Sequence, residues 1–139
     1  MPILVPNVGE RRLLQYIIGN ATPTNLQLRL YAFPVSQSTP AETDDFSTYT
    51  EPTATGYAVA TLSPNSWAVS TDGSGTSSAL YNNGITFTFG TAASVQNVYG
   101  YYVTDNSNNL LWAERFPGAP FALPTSGGEI AIRPQVQLS

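Results

Sequence analysis

The side chains of this chain that can exchange protons near neutral pH are nine carboxylates and little else. A glycosidase needs two carboxyl groups flanking one bond, and Asp44, Asp45, Asp72, Asp105 and Glu114 are the residues available for that chemistry. Each has a simpler local explanation. Asp72 and Asp105 lie in turn-forming runs, where aspartate bonds its own backbone. Glu114 lies in a strand pattern, where it can pair across a sheet with an arginine. Asp105-Asn106-Ser107-Asn108-Asn109 has the opening of a calcium loop, but the loop positions that require Gly and Glu hold Leu110 and Phe116. Thr71-Asp72-Gly73-Ser74-Gly75 lacks the lysine of a phosphate loop. The expectation is no catalytic residue, no metal and no cofactor: the chain does not read as an enzyme.

What the composition lacks points the same way. There is no Cys and no His, and the five cations are Arg11, Arg12, Arg29, Arg115 and Arg133. That removes disulfides, thiolate nucleophiles and cysteine-ligated zinc, the commonest general base, and the lysine of Schiff-base chemistry. With a net charge of -4, five arginines cannot build the positive footprint of a nucleic-acid-binding protein. Charged residues make up 10% of the chain, against about 25% in ordinary domains, so Thr, Ser and Asn must carry its hydration. No stretch has the roughly 18 apolar residues of a membrane span. The N-terminal segment is interrupted by Pro2, Pro6, Gly9, Glu10 and Arg11-Arg12, so no export signal is read there.

The elements that must position these residues follow from periodicity. One domain over 1–139 is expected, with an N-terminal arm and helix in 1–20, a β-rich body in 25–139, and a polar loop at about 35–56. The spacing predicts a helix over 7–19. Asn7 is its expected N-cap, Glu10 stands three residues on, and Gly19-Asn20 is the stop. Its apolar stripe is Leu13, Leu14, Ile17 and Ile18. Residues 25–33 alternate strictly, with Leu26, Leu28 and Leu30 on one side and Gln27, Arg29 and Tyr31 on the other. Further strands are expected at 57–62, 67–70, 79–81 and 85–89. Asn82-Asn83-Gly84 favours a primed turn, and Ile85, Phe87 and Phe89 face inward. The centre of the fold is a hairpin over 98–116 turning at 105–109, bulky on both faces and therefore placed inside a sheet. Residues 117–124 hold three prolines and read as a bridge over that sheet. A last strand covers 129–138, where Pro134 marks an edge or a bulge. The fold class is all-β, an antiparallel sandwich or jelly-roll-like barrel with one short N-terminal helix.

Aromatic and apolar residues beyond the needs of one small core give the interaction candidates: Ile3, Leu4, Val5, Arg11, Arg12, Phe46, Tyr49, Tyr101 and Trp112. Phe46 and Tyr49 are expected to pin the polar loop, which carries Glu42, Asp44, Asp45 and Glu51 without a cation of its own. Tyr99, Tyr101, Tyr102 and Trp112 read as core and sheet surface, or else as a stacking platform for sugars or a subunit interface. The excess surface predicts a homo-oligomer, with a trimer favoured. Fully burying Leu13, Leu14, Ile17 and Ile18 is worth roughly 6–12 kcal/mol before entropy. The helix is therefore expected either to close one end of the body or to dock on a partner surface, where Arg11 and Arg12 meet acidic groups.

Several stretches carry a resemblance. The run Pro6-Asn7-Val8-Gly9-Glu10-Arg11-Arg12-Leu13-Leu14, followed by Asn25-Leu26-Gln27-Leu28-Arg29-Leu30-Tyr31, resembles a family of small virion proteins of tailed phages. So do Tyr99-Gly100-Tyr101-Tyr102-Val103-Thr104-Asp105 and Leu110-Leu111-Trp112-Ala113-Glu114-Arg115-Phe116, with the proline-rich bridge and final alternating strand behind them. The likeness covers the first and last thirds of the chain. It implies a structural protein that decorates or cements the outer surface of the capsid, made in the host cytoplasm, with the major capsid protein and its own copies as partners. A tail or fibre component, a carbohydrate-binding module and a minimal acidic hydrolase are the alternatives.

Overall fold

The computed structural model of the protein describes residues 3–32 and 39–138. Pro2 of the arm, Phe33 of the expected first strand and the start of the polar loop lie outside the described residues. Strand accounts for 39% and helix for 13%, and every sheet pairing is antiparallel. The fold is therefore mostly β with one α-helix, and its sheets do not close into a barrel.

The helix, α1, spans Asn7–Ile17. Pro6, not Asn7, holds the N-cap position, and no side chain caps the helix. The first free N–H, on Asn7, instead donates to Glu42 O at 2.9 Å. At the other end Gly19 adopts φ 73, while Gly19 N donates to Tyr16 O (3.2 Å) and Asn20 N to Gln15 O (2.8 Å). This paired closure is the Schellman stop that the Gly-Asn sequence favours.

A four-stranded sheet carries the rest. Its order is β2-β1-β7-β8, built from Ala60–Leu62, Leu26–Tyr31, Gly100–Thr104 and Leu110–Arg115. The hairpin β7–β8 turns at 105–109, where Asn108 takes φ 61, and a bulge after Val103 leaves Leu111 without a partner across the pair. The outer edge of β8 is closed by the arm, since Leu4 and Ala113 exchange two backbone bonds of 2.9 Å each. Both faces of the sheet are covered. Leu28, Leu30, Val103 and Trp112 face the main core with Tyr81, Phe87, Phe89 and Ile132. On the other face Tyr31, Tyr102, Leu110 and Ala113 meet Tyr49 and Tyr99, with Phe46 and Val8 at the margin. The bulk on both sides of the hairpin is thus satisfied within one chain.

Opposite the main core lies a bent ribbon. One side is β4 (Ser77–Tyr81) and β5 (Ile85–Phe89); the other is β11 (Gln135–Leu138) and β10 (Gly128–Ile132). β4 pairs with β11 and β5 with β10, so β4 and β5 are not hairpin partners, and residues 82–84 make a corner instead of a primed turn between paired strands. Arg133 staples that corner, with Nε donating to Tyr81 O (3.0 Å) and Nη2 to Asn82 O (3.2 Å). Pro134, which has no N–H to give, sits opposite, and this splits the expected last strand in two. β3 (Trp67–Thr71) flanks β4. The bridge region contributes β9 (Phe121–Leu123), which pairs with β6 (Gln96–Val98), a strand too short to show in the sequence pattern.

Candidate functional site

The most distinctive local structure is the seat of α1. Gly9 is buried, and a Cβ there would stand 2.2 Å from Leu111 O and 2.9 Å from Leu111 C. Only a glycine allows the helix this close to the β8 backbone. The face turned inward is consequently set by Gly9 and by Arg12, Leu13 and Tyr16, one and two turns on.

Arg12 and Tyr16 meet Asp105, whose side chain is fully buried at the start of the β7–β8 turn. The carboxylate accepts from Arg12 Nε (2.9 Å), Tyr16 Oη (2.8 Å) and Asn109 Nδ2 (2.8 Å), and from the backbone N–H groups of Ser107 (2.9 Å) and Asn109 (3.0 Å). Burial alone would push its pKa up. The donors, Asn109 foremost with Tyr16 and Ser107, outweigh that and hold it below the usual aspartate value. Asp105 is a turn-former as expected, and it is also the clamp between turn and helix.

This seating inverts the expected helix face. Leu14, Ile17 and Ile18 are 61%, 79% and 72% exposed; of the stripe only Leu13 turns inward. The stripe reading assumed that the most apolar side faces the body. Here a backbone-to-backbone approach and an ion pair take that place, leaving a ridge of three aliphatic side chains in water. Beside the ridge is a recess of about 300 Å³ with almost wholly apolar walls. Leu13 and Tyr16 of α1 form one wall, Pro23 and Leu26 the next, and Trp67, Ala79 and Val136 the far side, over a floor of Leu62, Leu111 and Trp112. A second groove, between Phe116, Pro117, Phe121 and Ile130, is of similar volume but more polar.

The residues singled out from the sequence are placed as follows. Leu4 is bonded into the sheet, and Ile3 and Val5 are half-buried against the main core. Arg11 is exposed, while Arg12 is committed to Asp105 and lies 5.0 Å from the Tyr16 ring centroid. Phe46 and Tyr49 do pin the polar loop: Tyr49 stacks on Tyr102 at 4.7 Å and donates to Asp44 Oδ2 at 2.9 Å. Tyr101 and Trp112 are 3% and 4% exposed, so they cannot be a surface platform for sugars. Their strand parity directs them to the main core, where Tyr101 Oη donates to Glu114 (2.6 Å). Burial, with that bond to a carboxylate, drives the Tyr101 phenol far above its ordinary value. The loop's missing cation comes from β1, as Arg29 Nη1 reaches Glu51 Oε2 at 3.0 Å. The recess walls Trp67, Ala79 and Val136 carried no sequence signal, because they converge only through long-range pairing.

The carboxylates are spent on structure. Asp45 caps the short 3-10 turn Phe46–Thr48, Asp72 closes its own loop through Ser74 and Thr76, and Asp44 binds Ala41 N and Tyr49. None of these is paired with another carboxyl group across a cleft. No helix among the described residues is long and apolar enough to cross a membrane. The chain matches no protein-family model and no curated protein.

Proposed function

We propose that this chain is a non-catalytic structural protein of a phage virion, which decorates or cements the outer capsid surface, with the major capsid protein and its own copies as partners. The observation that carries the reading is the ridge Leu14, Ile17 and Ile18, apolar, exposed and rigidly mounted on the sheet through Gly9 and the Arg12–Asp105 clamp. A stable chain that holds aliphatic groups in water at fixed positions has the character of an assembly component. The sequence resemblance supplies the kind of assembly. The packing of a four-stranded sheet against a bent ribbon fits the jelly-roll type of sandwich common in capsid components. The carboxylates favour the same reading over a hydrolase, since each named above is engaged in a turn, a cap or an ion pair. Burial of Tyr101 and Trp112 disfavours the sugar-binding module.

The test is to reconstitute stripped particles with the purified protein and follow capsid survival on heating or chelation. Saturable binding with raised survival is expected. Particles that neither take up the protein nor gain resistance would refute the role.

A further inference from the structure

The ridge and the recess lie on the same helix, one turned outward and the other beside it, and they match in chemistry. Leu14, Ile17 and Ile18 project three branched aliphatic groups. The recess offers about 300 Å³ between Tyr16, Trp67, Val136 and Trp112, with no charged residue in its lining. We infer that the occupant of the recess is the helix ridge of a second copy of this chain.

Area decides in favour of a closed assembly. From their exposures the three ridge side chains present roughly 400 Å² of surface. Seating them in a neighbour buries about 800 Å² counting both partners, short of the 1,200 Å² or so at which specific interfaces begin. A single contact is therefore insufficient. Every copy must both give a ridge and receive one, either reciprocally about a two-fold axis or head to tail in a ring. Either arrangement brings the total above the lower limit and leaves no ridge in water. The contact would be of moderate strength, so association depends on concentration in the micromolar range. An apolar recess without a charged wall also rejects a ridge that carries a charge, because a carboxylate entering it would lose its hydration without gaining a partner. The inference goes beyond the virion reading and can fail without it, since a monomer can still be bound to particles.

Two probes report directly. Trp67 and Trp112 are the only tryptophans, and both line the recess. Their emission therefore reads its occupancy while sedimentation equilibrium reads mass. Between ~1 and ~200 µM the wild-type protein is expected to pass from monomer to a closed dimer or trimer, with a blue shift in emission that follows the mass. Ile17→Glu, at a position 79% exposed, is expected to weaken association by more than ~100-fold. Its far-UV spectrum and unfolding midpoint should stay unchanged, and Ile18→Glu should behave alike. A wild-type chain that stays monomeric to ~200 µM overturns the inference. So does association undiminished in both variants, or association that leaves tryptophan emission unmoved. A blue shift at monomer mass overturns it as well, since the recess would then hold something other than a second copy.

Discussion

Replacing Gly9 by Ala separates two effects of opposite sign. In an open helix Ala is favoured over Gly by about 1 kcal/mol, and by less in the first turn, where Gly9 lies. At this position the new Cβ would stand 2.2 Å from Leu111 O, 2.9 Å from Leu111 C and 3.0 Å from Leu110 O, all backbone atoms of β8. A side chain could rotate away from such a contact, but a paired strand cannot. The helix would have to lift by about 1 Å, loosening the bonds of Arg12 and Tyr16 to Asp105. Overpacking of this kind costs about 1–3 kcal/mol, and the rigid wall places it at the upper end. The net expectation is a loss of about 2 kcal/mol, seen as a reduced urea midpoint with unchanged slope and a melting point lower by roughly 6 °C. Ile17→Ala on the exposed ridge is the control and should move stability by less than about 0.5 kcal/mol. A G9A protein as stable as the parent, or more so, would mean that α1 is not seated on the β8 backbone, and the account of the ridge would fall with it.

Other outcomes follow from the same structure. Asp105→Ala should lower stability by about 3 kcal/mol near neutral pH, since it strips a buried acceptor from several donors. The depressed pKa of Asp105 makes its contribution fully present above the unfolded value of about 4 and lost as pH falls through the folded value. Wild type and variant should therefore converge in acid unfolding below about pH 4; a gap that persists at pH 2 would contradict this. Thr104 is fully buried and its Oγ1 has no hydrogen-bond partner among the described residues. Thr104→Val should accordingly raise stability by about 1 kcal/mol in denaturant titration, and a loss would reveal a missed partner. Burial pushes the phenols of Tyr31, Tyr49, Tyr57, Tyr101 and Tyr102 upward. Their stabilisation is complete below the unfolded value of about 10 and is lost as pH rises above it. Phenolate absorbance from these residues should appear only with alkaline unfolding; their titration in a folded protein would refute the packing.

Local periodicity was a sound guide wherever one face of an element meets the core. The alternation of Leu26, Leu28 and Leu30 and of Ile85, Phe87 and Phe89 gives the right faces for β1 and β5, and the doubly bulky hairpin is buried on both sides. Gly19 and Pro134 mark a helix stop and a strand break for steric reasons that act locally. What the sequence hid depends on distant contacts. The inward face of α1 is chosen by a glycine meeting Leu111 and by an arginine meeting an aspartate 93 residues away, so the hydrophobic stripe indicated the wrong side. Asn82-Asn83-Gly84 has the composition of a hairpin turn, yet Arg133 holds it as a corner. Tyr101 and Trp112 look like surface aromatics until the sheet that covers them is in place. The recess draws its walls from α1, β1, β3, β4, β8 and β11 and has no counterpart in any single stretch.

The central claim is that this chain is a structural part of a phage particle. The most direct test is quantitative mass spectrometry of purified particles of the phage that encodes it, with the protein counted against the major capsid protein. Decoration or cementing predicts a copy number in fixed proportion to the capsid protein and comparable to it. A handful of copies would place the protein in a tail or fibre, and its absence from the particle would contradict the account.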